Sequence, residues 1–150
     1  MDEALKEKKL LRNAVVELGV ALIVVHFIAV ITQWYHTHPW IDIPQHFFGG
    51  VFAALIFYWV TYRFPRFFKL IPSFPVPLIL VLSWTALLGV LFEFTEFTYD
   101  LVIFDYLGAS GFPTQLGVRD TMGDLFFDLI GGLSLAIFMR LRYDRKKRQL

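Results

Sequence analysis

Three aspartates spaced four residues apart open the last apolar segment of the chain. Asp120, Asp124 and Asp128 share one face of a helix at this spacing, and Gly131 continues that face. Carboxylates inside a membrane helix are costly and mark a functional site by default. Such a row can hold a proton or a metal cation, or supply a general base. The chemistry therefore depends on whether this helix lies in a membrane and on which groups face it.

The composition is that of a membrane protein. The chain has 150 residues, of which 57% are hydrophobic and 18% aromatic, with a net charge of +1. This is too apolar for an ordinary soluble domain, and the charge argues against a broad nucleic-acid surface. The absence of cysteine excludes disulfides, thiolate metal sites and a cysteine nucleophile. We expect one membrane domain over residues 1–150, without a cleavable signal peptide.

Four apolar runs divide the chain, over residues 13–34, 43–62, 76–99 and 120–139. Each has roughly 20 residues, which at about 1.5 Å per residue spans a hydrocarbon core of about 30 Å. A soluble chain of this length could not bury four such helices on every side. The sequence therefore predicts an all-α integral membrane four-helix bundle in the cell membrane.

Basic residues predict the orientation of the bundle. They cluster before the first run, between the second and third, and after the fourth. This distribution predicts that both termini are cytoplasmic and that the 35–42 and 100–119 loops lie outside. The 100–119 loop is rich in glycine and proline, which predicts a turn-rich cap over the helix ends. The basic residues are Lys6, Lys8, Lys9 and Arg12, then Arg63, Arg66 and Lys69, then Arg140, Arg142, Arg145, Lys146, Lys147 and Arg148.

Polar groups from all four helices are predicted at one depth. Counting inward from the predicted outer surface at about 1.5 Å per residue places a ligand-type group of each helix about 6–12 Å down. Glycines on the same helix faces, such as Gly19, Gly49 and Gly89, favour close packing around an interior that these groups face. The groups are His26, His46, Glu93, Asp124 and Asp128, with Asp42, Glu96, Asp100 and Asp120 above them at the mouth.

This set of side chains suits a divalent metal. No Lys or Arg is available in the layer to neutralise its carboxylates, so they would tend to bind protons or a cation. Two imidazoles with carboxylates favour Zn, Mn or Fe, whereas an all-oxygen subset could take Mg or Ca. The first hypothesis is a site in which a metal is held by the following residues, with His26 as a further ligand or base: His46, Glu93, Asp124 and Asp128.

A metal at this depth could activate water for a hydrolase or transferase acting at the outer leaflet. Glu96 or Asp120 would be the general base, and Arg119 would meet a phosphate of a lipid-linked substrate. No nucleic-acid partner is expected. The sequence leaves the substrate, the metal and the oligomeric state open.

Other interpretations stay open. Taken singly, His26 and Glu93 could be hydrogen-bonded packing residues, and Asp120 could be an N-cap. The acids could form the relay of a proton- or cation-coupled transporter, although the inner halves of the helices carry few polar groups. The chain could also be a non-catalytic accessory subunit of a membrane complex or form a homo-oligomer. A haem held by His26 and His46 is a further alternative.

These motifs resemble the VanZ-like family of small membrane proteins and the related YjdF-type inner-membrane proteins. The VanZ-like pattern has Asp-x-x-x-His in one helix, Glu-x-x-Gln in the next, an Arg, and then Asp-x-x-x-Asn-x-x-Gly in the last. The corresponding residues here are Asp42 and His46, Glu93 and Glu96, Arg119, and Asp124, Asp128 and Gly131.

Two positions depart from that pattern, since Glu96 stands for Gln and Asp128 for Asn. The YjdF-type proteins tolerate these acids better, and the extra charge favours a cation. The resemblance implies several membrane helices and a role in the cell envelope, in a family whose name derives from glycopeptide resistance. It implies no particular reaction.

Overall fold

The computed structural model describes residues 3–64, 75–110 and 112–148. Within these residues it forms four long helices and no strand. Each helix belongs to a span of 25–32 residues that is long and apolar enough to cross a membrane. The predicted all-α architecture of four membrane helices is therefore confirmed. The helices are α1 (Glu3–Ile31), α2 (Asp42–Arg63), α3 (Pro75–Asp100) and α4 (Val118–Lys147).

The outer helices are longer than their apolar runs. α1 begins ten residues before the run at 13–34, and α4 continues eight residues beyond the run at 120–139. Both extensions are rich in charged residues, which favour the helix but do not enter hydrocarbon. α1 ends at Ile31, earlier than the apolar run, because Gln33 adopts a left-handed backbone with φ of 58°. A helical turn over Trp34–Thr37 and a 3₁₀ turn over Pro39–Ile41 then lead into α2.

The predicted loop over residues 100–119 is partly helical. Leu101–Tyr106 continues α3 as a π-helix, since these residues are largely apolar and contain neither glycine nor proline. Gly108 follows with a φ of 63°, a conformation that glycine adopts without strain. The prediction of turns throughout this segment was therefore wrong for residues 100–106, its first seven.

Helices α2 and α4 form the centre of the bundle, and their contact depends on glycine. A Cβ added at Gly50 would overlap the carbonyl oxygen of Asp128, and one added at Gly131 would overlap the carbonyl oxygen of Phe47. The two backbones therefore touch directly, as in other close-packed membrane helices. The core nearby is built from small side chains, including the fully buried Ala54 and Ala136.

The two remaining helices lie on either side of this pair. α3 packs on both α2 and α4, and the indole Nε1 of Trp84 donates a hydrogen bond to the carbonyl oxygen of Ala53 at 3.1 Å. α1 packs mainly on α2. The outward side of α1 is apolar, with Val16 57% and Val20 56% exposed. A lipid environment accounts for such a surface, whereas water does not.

The beginning of α1 and the end of α4 meet at one end of the bundle. Lys146 and Arg142 of α4 form ion pairs with Glu7 of α1. The start of α1 and the end of α4 therefore lie at the same end of the bundle. This agrees with the prediction that both termini are in one compartment. Which side faces the cytoplasm stays a prediction. Two basic residues used for it, Arg66 and Lys69, lie outside the described residues.

The α2–α4 contact can be tested by adding one methyl group. Gly131→Ala places a Cβ against backbone atoms of α2, so we expect the free energy of unfolding to fall by about 1–3 kcal/mol, as in overpacked cores. Gly123→Ala in the same helix is the matched control, since nothing lies within 4 Å of its added Cβ. Unfolding of the purified protein by SDS in mixed micelles, followed by circular dichroism, measures both. Equal stability of the two variants would contradict direct backbone contact.

Candidate functional site

His46 lies at the centre of a cluster of carboxylates at the end of the bundle where α2 and α4 begin. Its side chain is 5% exposed. Its Nε2 atom lies 3.5 Å from Oδ1 of Asp42 and 3.9 Å from Oδ1 of Asp124. Its Nδ1 atom lies 3.5 Å from Oδ2 of Asp128. Each ring nitrogen therefore faces carboxylate oxygens, those of Asp42 and Asp124 at Nε2 and that of Asp128 at Nδ1.

Helix periodicity and the glycine contact together build this cluster. Asp42 and His46 are one turn apart on α2, and Asp124 and Asp128 are one turn apart on α4. The close approach of α2 and α4 brings the two pairs face to face. Gly89 of α3 leaves room for Asp128, because a Cβ there would lie 2.5 Å from its Oδ2 atom.

Asp42, His46 and Asp124 form the group best placed to hold a cation. One ligand atom from each lies within 4.8 Å of the others, and both His46 and Asp124 are buried. The sequence analysis placed Asp42 at the mouth and not among the ligands. It joins the group because its Oδ1 atom lies 3.5 Å from Nε2 of His46, which is one turn further along α2. Among the described residues, this group does not include His26, Glu93 or Asp128.

Glu93 lies beside the group, on α3. It is 5% exposed, and its Oε2 atom accepts a hydrogen bond from Nε2 of Gln115 at 3.2 Å. Its Oε1 atom is buried and has no hydrogen-bond partner among the described residues. Glu93 is close enough to Asp42 and Asp124 to interact with both electrostatically. A buried carboxylate oxygen without a donor is costly, so this atom needs a proton or a cation.

His26 belongs to a neighbouring network. Its Nδ1 atom lies 2.8 Å from the hydroxyl of Tyr35, which also accepts a hydrogen bond from Nε2 of Gln45. Burial, and then the charge of Asp42, raise the pKa of Tyr35, which lies outside the membrane spans. Its retained proton can therefore be donated to His26. This geometry agrees with the alternative in which His26 is a hydrogen-bonded packing residue.

The three residues predicted to act on substrate differ in their burial and in their contacts near the cluster. Glu96 is half-buried and within electrostatic reach of Asp42 and Asp124. Asp120 accepts a hydrogen bond from the backbone N–H of Leu116 at 3.0 Å, which ties down the segment before α4. The N-cap of α4 is Gly117, so Asp120 lies in the first turn and is not the cap. Arg119 is exposed at the start of α4.

The segment before α4 is held over the site by Asp100. Its Oδ1 atom accepts hydrogen bonds from the backbone N–H and the hydroxyl of Thr114, and its Oδ2 atom accepts one from the N–H of Gln115. Gln115 in turn reaches Glu93 and Thr121. The sequence analysis did not identify Gln115, Tyr35 and Gln45 as part of the site. These residues are neutral and lie in or near loops, so neither charge nor helical spacing distinguishes them.

This anchoring predicts a change in hydrogen exchange. Asp100→Ala removes the acceptor of the Thr114 and Gln115 amides, which should exchange roughly 10- to 100-fold faster, since a hydrogen bond to a charged group contributes about 1.5–3 kcal/mol. Asp105→Ala is the control, because Asp105 is exposed in the nearby π-helix. Exchange measured by mass spectrometry in detergent reports both. Unchanged rates in Asp100→Ala would mean that the segment is held by other contacts.

Comparison with known proteins supports the membrane assignment. A family profile described as predicted membrane protein (DUF2238) matches residues 5–145. An uncharacterized protein of Thermotoga maritima is 34% identical over 91 residues, which are 61% of this chain and 43% of that protein. The match thus covers less than half of that relative. No solved structure matches the chain. Since the profile spans nearly all of the sequence, the chain belongs to the DUF2238 family of predicted membrane proteins.

Proposed function

We propose that this protein is a metal-dependent enzyme of the cell envelope whose divalent cation is held by Asp42, His46 and Asp124. The observation that carries the proposal is the spacing around His46 Nε2, with carboxylate oxygens at 3.5 and 3.9 Å. Hydrogen bonds of this type are shorter, at about 2.7–3.2 Å. Two ligand atoms that each lie about 2.0–2.2 Å from one ion are separated by about 3–4 Å. The spacing suits a shared cation better than direct hydrogen bonds.

The surroundings of the three residues support the same proposal. Metal-bound histidines usually donate their second ring N–H to a carboxylate, which fixes the ring and its tautomer. The Oδ2 atom of Asp128 lies 3.5 Å from that second nitrogen, so it would have to move closer to accept the N–H when an ion binds, and we assign it this positioning role on His46. The unpartnered Oε1 atom of Glu93 is available as a further ligand. The proposal thus changes the ligand set predicted from the sequence, which was His46, Glu93, Asp124 and Asp128. Asp42 is added as a ligand, and Asp128 supports the His46 ring and does not bind the ion.

The donor set indicates which cations fit. One imidazole with two or three carboxylates suits Zn, Mn or Fe, whereas Mg and Ca prefer oxygen alone. Burial of these acids makes their uncompensated negative charge costly in free energy. A divalent ion would therefore stabilise the folded protein most where the acids are least exposed. Cation binding should weaken as the pH falls, because protons compete for the same oxygens and for the imidazole.

The proposed reaction is hydrolysis, or transfer, of a phosphate group of a lipid-linked substrate at the membrane surface. A bound divalent cation would lower the pKa of a water and polarise a phosphoryl oxygen. Glu96, half-buried beside the cluster, would take the proton of the attacking water. Asp120 is less suited to this step because it already anchors Leu116. The resemblance to VanZ-like and YjdF-type proteins supports an envelope role, and the predicted orientation places the site outside.

Metal analysis tests the site. Protein purified with Mn²⁺ or Zn²⁺ and then dialysed should retain about one ion per chain, because three or four protein ligands can hold an ion while one position stays open for water. Asp124→Asn should abolish retention. Asp128→Asn should weaken binding by about 10- to 100-fold without abolishing it, as expected for a residue behind a ligand. Asp105→Asn is the matched control at an exposed position.

Two outcomes would contradict this assignment. Equal metal content in the wild type and in Asp124→Asn would place the ion elsewhere. A wild type without metal would leave His46 as an imidazolium counter-ion for its carboxylates, which would favour the proton-relay or accessory alternatives.

The role of Glu96 is tested separately. With an isoprenyl diphosphate in nanodiscs and Mn²⁺, water would attack the terminal phosphorus, the bond to the bridging oxygen would break, and Glu96 would accept the proton. Glu96→Gln should keep its metal and release phosphate about 10²- to 10⁴-fold more slowly, the usual contribution of a general base. Asp120→Asn serves as the comparison. A full rate in Glu96→Gln, or a larger loss in Asp120→Asn, would assign the proton transfer to another group.

A further inference from the structure

A cavity of about 330 Å³ adjoins the Asp42–His46–Asp124 group and extends into the bundle. It is lined by residues of α1, α2 and α3 and by Tyr35, and α4 contributes Asp128. Its volume is at the lower end of the range of about 300–1,000 Å³ that is typical of small-ligand pockets. The cavity therefore has room for one extended chain or a small molecule.

The lining of the cavity changes from polar to apolar with depth. Asp42, Gln45 and His46 lie at the end of the bundle where α2 begins, near the Tyr35 hydroxyl. Apart from His26 and Thr85, the deeper walls are hydrocarbon and aromatic. They are formed by Leu22 and Ile23 of α1, Phe52 and Ala53 of α2, and Leu88 and Phe92 of α3. A ligand with one polar end and one apolar chain matches both parts.

The apolar part of the cavity reaches the surface of the bundle between α1 and α3. Ile23 is 59% exposed and Phe92 is 41% exposed, although both line the cavity. α1 packs mainly on α2, so it does not seal the cavity against α3. Since both helices are membrane spans, this opening faces lipid chains. An occupant can therefore enter sideways from the bilayer.

Two glycines allow the carboxylate of Asp128 to lie in the wall of the cavity. Gly49 and Gly89 line it beside Asp128, and a Cβ on Gly89 would meet that carboxylate. From His46 to Ala53 the cavity follows α2 for seven residues, or roughly 10 Å by the helical rise. This length suits the first part of a hydrocarbon chain that starts at the carboxylate group and points toward the bilayer centre.

We propose that this cavity binds the hydrocarbon chain of a single-chain lipid phosphate, with its phosphate at the Asp42–His46–Asp124 group. The phosphate half of this inference rests on the proposed function, because carboxylates repel a phosphate unless a divalent cation lies between them. Binding of the hydrocarbon chain is inferred from the cavity alone. The proposal names the part of a lipid-linked substrate that the protein recognises, and it separates recognition of the chain from chemistry at the phosphate.

Photo-crosslinking in nanodiscs tests the proposal. The probe is dodecyl phosphate with a diazirine at its sixth carbon, and dodecanol with the same diazirine is the probe without phosphate. In the presence of Mn²⁺, the phosphate probe should label cavity residues, such as Leu22 and Phe52, at least several-fold more than residues on the lipid-facing side. Peptide mass spectrometry locates the label. Omitting Mn²⁺ should remove most of this preference for the phosphate probe.

Variants that fill the cavity give the decisive comparison. Leu88→Trp places a larger ring in the cavity wall and should abolish labelling there, whereas Leu87→Trp is the matched control on the same helix. Leu87 is 52% exposed and does not line the cavity. Leu22→Trp, on α1, repeats the test if Leu88→Trp does not fold. All three tryptophan variants should retain metal, which would show that the ion site is intact.

The outcomes separate this proposal from the metal assignment. Label spread equally over lipid-facing and cavity residues, or unchanged in Leu88→Trp, would overturn the chain site even if metal binding is normal. Cavity labelling by both probes in a protein without metal would support the chain site and overturn the phosphate half. Cavity labelling by the phosphate probe that requires Mn²⁺ and is lost in Asp124→Asn supports the whole proposal.

Discussion

The backbone contact between α2 and α4 is the constraint on which the rest of the structure depends. Gly50 and Gly131 each meet a carbonyl of the opposite helix, so the two helices approach as closely as their backbones allow. This approach places the polar turn of α2 against the polar turn of α4. A side chain at either glycine would separate the helices and with them His46 and its carboxylates. Close packing here serves the geometry of the site as well as stability.

The cluster that results is electrostatically demanding. Three aspartates surround one imidazole, with the unpartnered oxygen of Glu93 nearby. Removing such charges from water costs several kcal/mol each unless a counter-charge is present. Protonation of the acids, an imidazolium at His46, or a divalent cation could each supply it. We propose the cation because the spacing of 3.5 and 3.9 Å around Nε2 is longer than a hydrogen bond and suits two ligands of one ion.

The lipid environment explains why α1 can pack loosely and still belong to the fold. Its apolar surface needs no protein partner in a bilayer, so contact with α2 is sufficient. The space left between α1 and α3 is consequently continuous with the hydrocarbon around it. A cavity of this kind, with acids at one end and aromatic side chains along its walls, joins the proposed metal site to the membrane from which a lipid would come.

The sequence by itself determined the four membrane helices and the polar layer, because long apolar runs and four-residue spacing have direct physical consequences in a bilayer. It also indicated that Asp42, His46, Asp124 and Asp128 share one region. Only the tertiary structure decided that Asp42 and Asp124 face the same ring nitrogen of His46. It also decided that His26 lies within hydrogen-bonding distance of the Tyr35 hydroxyl and outside the Asp42–His46–Asp124 group. Helical depth gives a residue's height but not its direction across the bundle. That direction follows from the crossing of α2 and α4, and Gln115 reaches Glu93 through a loop whose path no local pattern predicts.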